Sequence, residues 1–169
     1  LCVLEAVCNM SIGDFPYYGV AEVDINGNSF YISRSGWTGE RGFEIYSKNS
    51  DFDGVKLWNF LLEKGSPMGL MPSDVSSMHI RRIEAGILDY GTDIDQSLNP
   101  FEIGLDRLVH LEKVDFIGRK ALMETNHKTL RLKGLVCDEA SLTRGDKLVD
   151  SGKEIGFVSA GAWSPYLES

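Results

Sequence analysis

The stretch YYGVAEVDINGNSFYISR, residues 17–34, decides the first part of the fold. Two runs within it, YGVAEVDI and SFYISR, alternate apolar and polar residues, a period of two that is typical of strands with one buried face. The NGN between the runs is a strong hairpin signal, because Asn-Gly readily adopts the left-handed backbone of a tight turn. The stretch therefore predicts an antiparallel β-hairpin.

A glycine-rich segment and a third strand follow in SRSGWTGERGFEIY, residues 33–46. On this strand Glu44 points away from the face of Ile45 and shares its own face with Tyr46. If the glycine-rich segment folds back, Trp37 joins them in one pocket. A carboxylate that accepts two parallel N–H bonds would orient a planar heterocycle there. The alternative is a surface carboxylate on a half-exposed strand, with the indole in the core.

The first helix after this strand is predicted to begin at a cap provided by Ser50 or Asp51. It runs to about Lys64, and Gly65 is the expected stop just beyond it. Apolar residues that recur at helical spacing predict the buried face. These residues are Phe52, Val55, Trp58, Leu61 and Leu62.

A second helix is predicted to begin at Ser73 or Asp74 and to run to about Gly86. Its predicted buried face consists of Val75, Met78, Ile83 and Ile87. Arg81 and Arg82 are adjacent on this helix, so they point about 100° apart. One of them could therefore face solvent while the other points inward to an anion. The alternative is that both are solvated surface residues.

Turn residues dominate residues 86–109, so this stretch is predicted to be irregular, and residues 113–126 are predicted to contain a short helix. From about residue 126, short β segments separated by turns follow: KTLRLKGLVCDE, GDKLVD and SGKEIGFVSAGAW. This pattern is typical of a small barrel or sandwich. The order of hairpin, strand and two helices predicts an α+β domain, with a boundary near residue 126.

The composition argues against two classes of partner. The net charge of −8 disfavours nucleic acid, because phosphate binding needs a basic surface. No apolar run approaches the ~20 residues of a membrane helix, so no membrane partner is expected. The chain opens on Leu1 rather than Met, and its last residues read as a strand and turn cut short. We therefore expect a fragment.

Cysteine and histidine show no pattern of a metal site. The three cysteines, odd in number and without CxxC spacing, are Cys2, Cys8 and Cys137. They are expected to be free thiols of a reducing cytoplasm. The three histidines, at positions 79, 110 and 127, form no metal-ligand spacing. No metal site is predicted.

Four segments together resemble one known family: GWTGERGFEIY, RRIEAGILDYGTDID, NPFEIGLDRLV and DFIGRKAL. They are similar to the glycine-cleavage T-protein family of tetrahydrofolate-dependent aminomethyltransferases, and their common order is more specific than any single glycine pattern. Close relatives include dimethylsulfoniopropionate demethylases and the folate domains of dimethylglycine and sarcosine dehydrogenases. The run RGDKLVDSGKEIGFVSAGAWSP resembles the start of the family's C-terminal barrel.

The resemblance implies a folate-binding T-protein fold of antiparallel sheets with packed helices. Residues 1–125 would be the C-terminal part of the folate-binding domain, and residues 126–169 the truncated start of a small C-terminal β-barrel. No residue matches the family's carboxylate near folate N5, which belongs to the N-terminal third of those proteins. The catalytic residue therefore stays unassigned, and the resemblance implies no metal and no covalent nucleophile.

The resemblance also implies tetrahydrofolate as the cofactor and four residues that bind it. Glu44 would contact the pterin ring, and Trp37 would lie near the folate. Arg82 would lie at the folate site, where its guanidinium could meet the anionic glutamyl tail. Tyr46 would be a wall of the same pocket.

The implied function is transfer of a methyl or methylene group from a small donor to tetrahydrofolate. The donor could be a lipoyl-bound aminomethyl group, a methylated amine or a sulfonium. Trp37 stands where T-proteins usually carry Tyr, and an indole face suits a cation, so a sulfonium demethylase is one alternative. The others are a non-catalytic folate-binding protein and the folate module of a dimethylglycine or sarcosine dehydrogenase.

Overall fold

The computed structural model mixes helices with two antiparallel sheets, as the α+β prediction requires. The structure describes residues 2–8, 10–125, 130–138 and 142–169. Within this described part, no helix has both the length and the apolar character that crossing a membrane requires.

The chain divides into two compact units, Leu1–Arg82 and Ile83–Ser169. The division falls inside a helix, earlier in the chain than the boundary predicted near residue 126. That boundary concerns the domains of the family, and it stays a prediction.

The first unit is built around a three-stranded antiparallel sheet in the order β1-β2-β3. The strands are β1 (Val20–Ile25), β2 (Asn28–Ser33) and β3 (Glu44–Ser47), which confirms the predicted hairpin and third strand. A short helix, α1 (Cys2–Cys8), precedes the sheet and was not predicted from the sequence. Its residues Val7 and Cys8 are buried in the same cluster as the inner residues of the sheet.

The turn between β1 and β2 consists of two residues in the left-handed region. Asn26 has φ 53° and Gly27 has φ 78°, while Ile25 pairs with Asn28. Positive φ at both positions defines a type I′ turn, whose twist matches that of the flanking strands. The Asp24 carboxylate also accepts a hydrogen bond of 2.9 Å from the Gly27 amide.

We expect Gly27→Ala to lower the free energy of unfolding by about 1–2 kcal/mol, because a Cβ disfavours the left-handed backbone. The reason is conformational, since an added Cβ at Gly27 would meet no atom within 4 Å. Urea denaturation of the full-length protein measures the change. Gly13→Ala is the matched control, because Gly13 is equally open but does not have a positive φ. Equal losses in the two variants would contradict the turn assignment.

The core of the first unit lies on one face of the sheet. Its buried residues come from α1, β1 and β2: Val7, Cys8, Val23, Ile25, Phe30 and Ile32. Helix α2 (Gly54–Gly65) packs against this cluster through Leu57, Phe60 and Leu61. The predicted face was therefore wrong at Val55 and Trp58, which are exposed. Phe52 and Leu61 of the predicted face do pack against the cluster. The stripe that the sheet selects lies one position earlier along the helix than Trp58, Leu61 and Leu62, and periodicity alone did not distinguish the two.

Both ends of α2 differ from the prediction by a few residues. The cap is Asp53, whose backbone is extended and whose side chain accepts from the Lys56 amide, so Ser50 and Asp51 lie outside the helix. Gly65 is the last residue of the helix, and a 3₁₀ turn, Ser66–Met68, extends it. The left-handed glycine that ends this turn is Gly69, with φ 88°.

Helix α3 (Val75–Glu84) confirms the second predicted helix within two residues at each end. The Asp74 carboxylate accepts from the Ser77 amide, as a cap does. Val75 was wrongly placed in the buried face, because it lies in the exposed first turn. The most buried residue of the helix is Arg82 instead, with 1% of its surface exposed.

The second unit contains α4 (Arg119–Glu124) and a two-stranded antiparallel sheet of β4 (Lys147–Asp150) and β5 (Lys153–Phe157). These elements confirm the predicted short helix and two of the three predicted β segments. Residues 86–109 are irregular as predicted, with one 3₁₀ turn at Asp106–Leu108.

The prediction of a strand at the first of the three β segments, residues 128–139, was wrong over its described part. Residues 130–138 form no strand. The Leu132 amide donates to the Glu102 carbonyl and the Arg131 side chain to the Phe101 carbonyl, each at 2.7 Å, so this segment binds a loop rather than a strand edge. Residues 126–129 and 139–141 lie outside the described part, and the small barrel stays a prediction.

Candidate functional site

The outer face of the first sheet carries Glu44 and Tyr46. In the strand register, Glu44 pairs with Ser33 and Tyr46 with Tyr31, so these four residues share the face opposite the core. Ile45 points the other way and packs against the core cluster. The alternation predicted for this strand is confirmed.

Two hydroxyl groups of the protein donate to the Glu44 carboxylate. The Ser35 hydroxyl forms a short hydrogen bond to Oε2, and its oxygen lies 2.8 Å from the Ser33 hydroxyl oxygen. The Tyr46 hydroxyl donates to the same carboxylate, and this bond raises the pKa of Tyr46 above its ordinary value. Ser35 could not be identified from the sequence, because no local pattern links it to a residue nine positions later.

We expect the Tyr46 hydroxyl to titrate above the ordinary range for tyrosine, because its neutral form donates to Glu44 and ionisation would place two negative charges together. A folded-state pKa above the unfolded value adds stability that is present below the unfolded pKa and is lost as the pH rises through the folded pKa. NMR titration of ¹³C-labelled tyrosine measures the pKa. Glu44→Gln should lower it toward about 10, and an unchanged value would contradict the assigned hydrogen bond.

The second pair of predicted site residues is Trp37 and Arg82. The guanidinium carbon lies 5.6 Å from the centroid of the indole ring, which is the geometry of a cation–π contact. The Nε and Nη2 atoms of Arg82 each lie 3.4 Å from Nδ1 of His79, one helical turn earlier. In this structure the buried Arg82 supports the half-buried Trp37, and its contact with a glutamyl tail stays a prediction.

Arg81 points to a different side of α3 from its neighbour. It forms an ion pair with Glu40, and 35% of its side chain is exposed, whereas Arg82 is buried. One arginine therefore faces outward and the other inward, as predicted, while an anion as the partner of the inward one stays a prediction. The interpretation as two solvated arginines was wrong, because both contact the glycine-rich segment.

Two further arginines hold the loop before β1. Arg34 donates to the Phe15 carbonyl at 2.6 Å, and Arg41 donates to the Gly13 carbonyl at 2.5 Å. The ring centroids of Phe15 and Phe43 lie 6.4 Å apart. The glycine-rich segment is thus attached to the loop that precedes the sheet as well as to α3.

The four predicted residues therefore form two pairs, Glu44 with Tyr46 and Trp37 with Arg82. The single pocket that would join the pairs stays a prediction. A cavity of ≈ 310 Å³ lies at the other end of the sheet, beside the hairpin turn, and Asn26 is among its lining residues. None of the four site residues lines it.

The described residues contain no group of three or more His, Cys, Asp or Glu side chains that could hold a metal ion. All three cysteines are free. Burial raises the pKa of the Cys8 thiol to about 11, so this thiol stays protonated at neutral pH and is a poor nucleophile.

The chain matches the family model of the GCVT N-terminal domain over residues 2–113. It is 34% identical over 168 residues to an aminomethyltransferase of Halothermothrix orenii, covering 98% of this chain and 46% of that protein. It is 40% identical over 156 residues to an aminomethyltransferase of Alkaliphilus metalliredigens, covering 90% and 42%.

The fold is also similar to that of a solved structure, the glycine cleavage system aminomethyltransferase T from Bartonella henselae. The TM-score is 0.75 at 24% sequence identity, and the match covers 99% of this chain and 46% of that protein. This likeness shows the fold. The chain spans less than half the length of each of these relatives.

Proposed function

Because the chain belongs to the glycine cleavage T-protein family, we propose that it forms part of the folate site of a tetrahydrofolate-dependent aminomethyltransferase. The observation that carries the proposal is the Glu44 carboxylate on the outer face of the sheet, inside the matched residues 2–113. Ser35 and Tyr46 orient this carboxylate before any ligand arrives.

The residues fit the hydrogen-bonding needs of a reduced pterin. A carboxylate has about four lone-pair sites, and two hydroxyl donors use only part of this capacity. Glu44 can therefore also accept two parallel N–H bonds from the edge of a pterin, which fixes both position and orientation. Tetrahydrofolate supplies the N5 atom that receives the one-carbon unit.

Trp37 would add a flat apolar surface to the same site. The cation–π contact with Arg82 restricts the indole, so little freedom is lost when a planar ligand packs against it. The contribution of these residues to the reaction is then positioning, which holds the accepting atom against the donor.

The proposed donor is the aminomethyl group of a lipoyl-bearing carrier protein. A cationic sulfonium on the indole of Trp37 would share the ring with the guanidinium of Arg82, and like charges on one ring repel. A neutral pterin meets no such repulsion. No contact described above favours the demethylase or the non-catalytic alternative, so we propose no second function.

Calorimetric titration of tetrahydrofolate into the full-length protein tests the cofactor. We expect saturable binding, and formation of methylene-tetrahydrofolate once an aminomethyl-lipoyl carrier protein is added. Absence of binding would overturn the proposed cofactor. Binding of folate together with demethylation of dimethylsulfoniopropionate would overturn the proposed donor and support the sulfonium alternative.

A further inference from the structure

The glycine-rich segment that carries Trp37 has no regular backbone structure. Residues 34–43 connect β2 to β3 and belong to no helix or strand. The backbone of Arg34, at its start, exchanges two hydrogen bonds of 3.0 Å with Tyr18 and Gly19. Beyond Arg34 the segment has no strand ladder, so contacts of its side chains contribute to its position. Trp37 and Glu40 both lie in this segment, and both contact α3.

Two adjacent arginines of α3 contact the segment at two points. Arg82 lies under the indole of Trp37, and Arg81 forms the ion pair with Glu40. Because consecutive helical residues point in different directions, the two contacts restrain the segment about different axes. Loss of one contact would therefore remove a restraint that the other contact does not replace.

The segment is also attached on its other side. Arg41 donates to the Gly13 carbonyl at 2.5 Å and to the Ile12 carbonyl at 3.4 Å. Ile12 is fully buried, so this attachment leads to a fixed part of the fold. The Arg81–Glu40 pair differs from these contacts, because 35% and 64% of its two side chains are exposed to solvent and therefore to salt.

We propose that Arg81 and Glu40 are positioning residues, whose ion pair holds the glycine-rich segment so that Trp37 keeps its place on Arg82. The effect on the ligand rests on the function proposed above, since it assumes that Trp37 lies at the folate site. The restraint on the indole does not depend on that assumption. The restraint on the indole and the affinity for tetrahydrofolate can therefore be measured separately.

The test follows Trp37 by ¹⁹F NMR in the full-length protein labelled with 5-fluorotryptophan. Loss of a resonance in Trp37→Phe assigns the signal. We expect Glu40→Gln and Arg81→Gln each to shift or broaden it, and each to weaken tetrahydrofolate binding about two- to fivefold. The double variant should be no worse than the more affected single variant, because both substitutions remove the same pair.

Salt provides a second readout. Raising the salt concentration from about 0.05 M to 0.5 M screens an exposed pair, so it should move the Trp37 signal of the unsubstituted protein toward its position in Glu40→Gln.

The control for the substitutions is another exposed ion pair, Lys147–Glu154 of the second unit, whose charged atoms lie 2.7 Å apart. Both of its residues are changed to Gln. This control should leave the Trp37 signal and the affinity unchanged.

A Trp37 signal that does not respond to the substitutions, or additive effects of the two, would overturn the proposal. A signal that responds while the affinity for tetrahydrofolate stays constant would overturn the link between the ion pair and the ligand. If the unsubstituted protein binds no tetrahydrofolate, the proposed function fails, and the signal still decides whether the pair positions the indole.

Discussion

Glu44→Gln is expected to weaken tetrahydrofolate binding by about 10- to 100-fold, the effect of losing roughly 1.5–3 kcal/mol of hydrogen bonding to a charged group. The substitution replaces one acceptor oxygen by an amide donor, which then faces an N–H donor of the pterin. The outer face of the sheet should keep its structure, because the hydroxyls of Ser35 and Tyr46 can rotate to suit an amide. Calorimetry on the full-length protein measures the affinity.

Glu22→Gln is the matched control for this experiment. Glu22 lies on the same outer face, pairs with Tyr31, and accepts from Ser29 at 2.8 Å and from Lys48 at 2.6 Å. It is therefore also a carboxylate held by protein donors, but the family motif does not include it. We expect an affinity within about twofold of the unsubstituted protein. Equal losses in the two variants would assign the effect to net charge and contradict the pterin contact.

Phe30→Ala is expected to lower the free energy of unfolding of the first unit by about 3–5 kcal/mol. Phe30 is 1% exposed, and its ring meets Phe52 edge-on at a centroid distance of 5.2 Å. Truncation removes this contact between the sheet and the segment that leads into α2, and it leaves a cavity in the core cluster. Native-state hydrogen exchange at the amides of β1–β3 measures the loss for this unit alone.

Tyr31→Ala is the control for that measurement. Tyr31 is the next residue on β2, but it points to the outer face and is 41% exposed. The Lys48 ammonium nitrogen lies 5.0 Å from the centroid of its ring. Its truncation should cost about 1 kcal/mol or less. A similar loss in both variants would mean that the inner face of the sheet does not carry the core.

The sequence by itself determined the features that depend on neighbours a few residues apart. The turn at Asn26 and Gly27 follows from the backbone freedom of that dipeptide, and the alternation of β1–β3 follows from the side-chain period of two. The same period places Glu44 and Tyr46 on one face. The cap at Asp74 follows from a side chain that reaches an amide three residues later. The family motifs were also readable without coordinates.

Only the tertiary structure decided which side of each helix is buried. Two stripes of α2 have suitable periodicity, and packing on the sheet selects Leu57, Phe60 and Leu61. On α3 the most buried side chain is a charged one, Arg82, and an indole from a distant segment contacts it. Residues 130–138 have the composition of a strand, but they bind the carbonyls of a loop. These choices depend on which surface is available, and local propensity carries no information about that surface.

The partners of the site residues were likewise decided by the tertiary structure. Ser35 reaches Glu44 across nine residues, and Arg81 reaches Glu40 across 41. The sequence supplied the carboxylate, the indole and the arginines, because motif chemistry names residue types at fixed spacing. Their contacts arise only when the glycine-rich segment lies between the sheet and α3, since interaction energies depend on distance in space and not on separation along the chain.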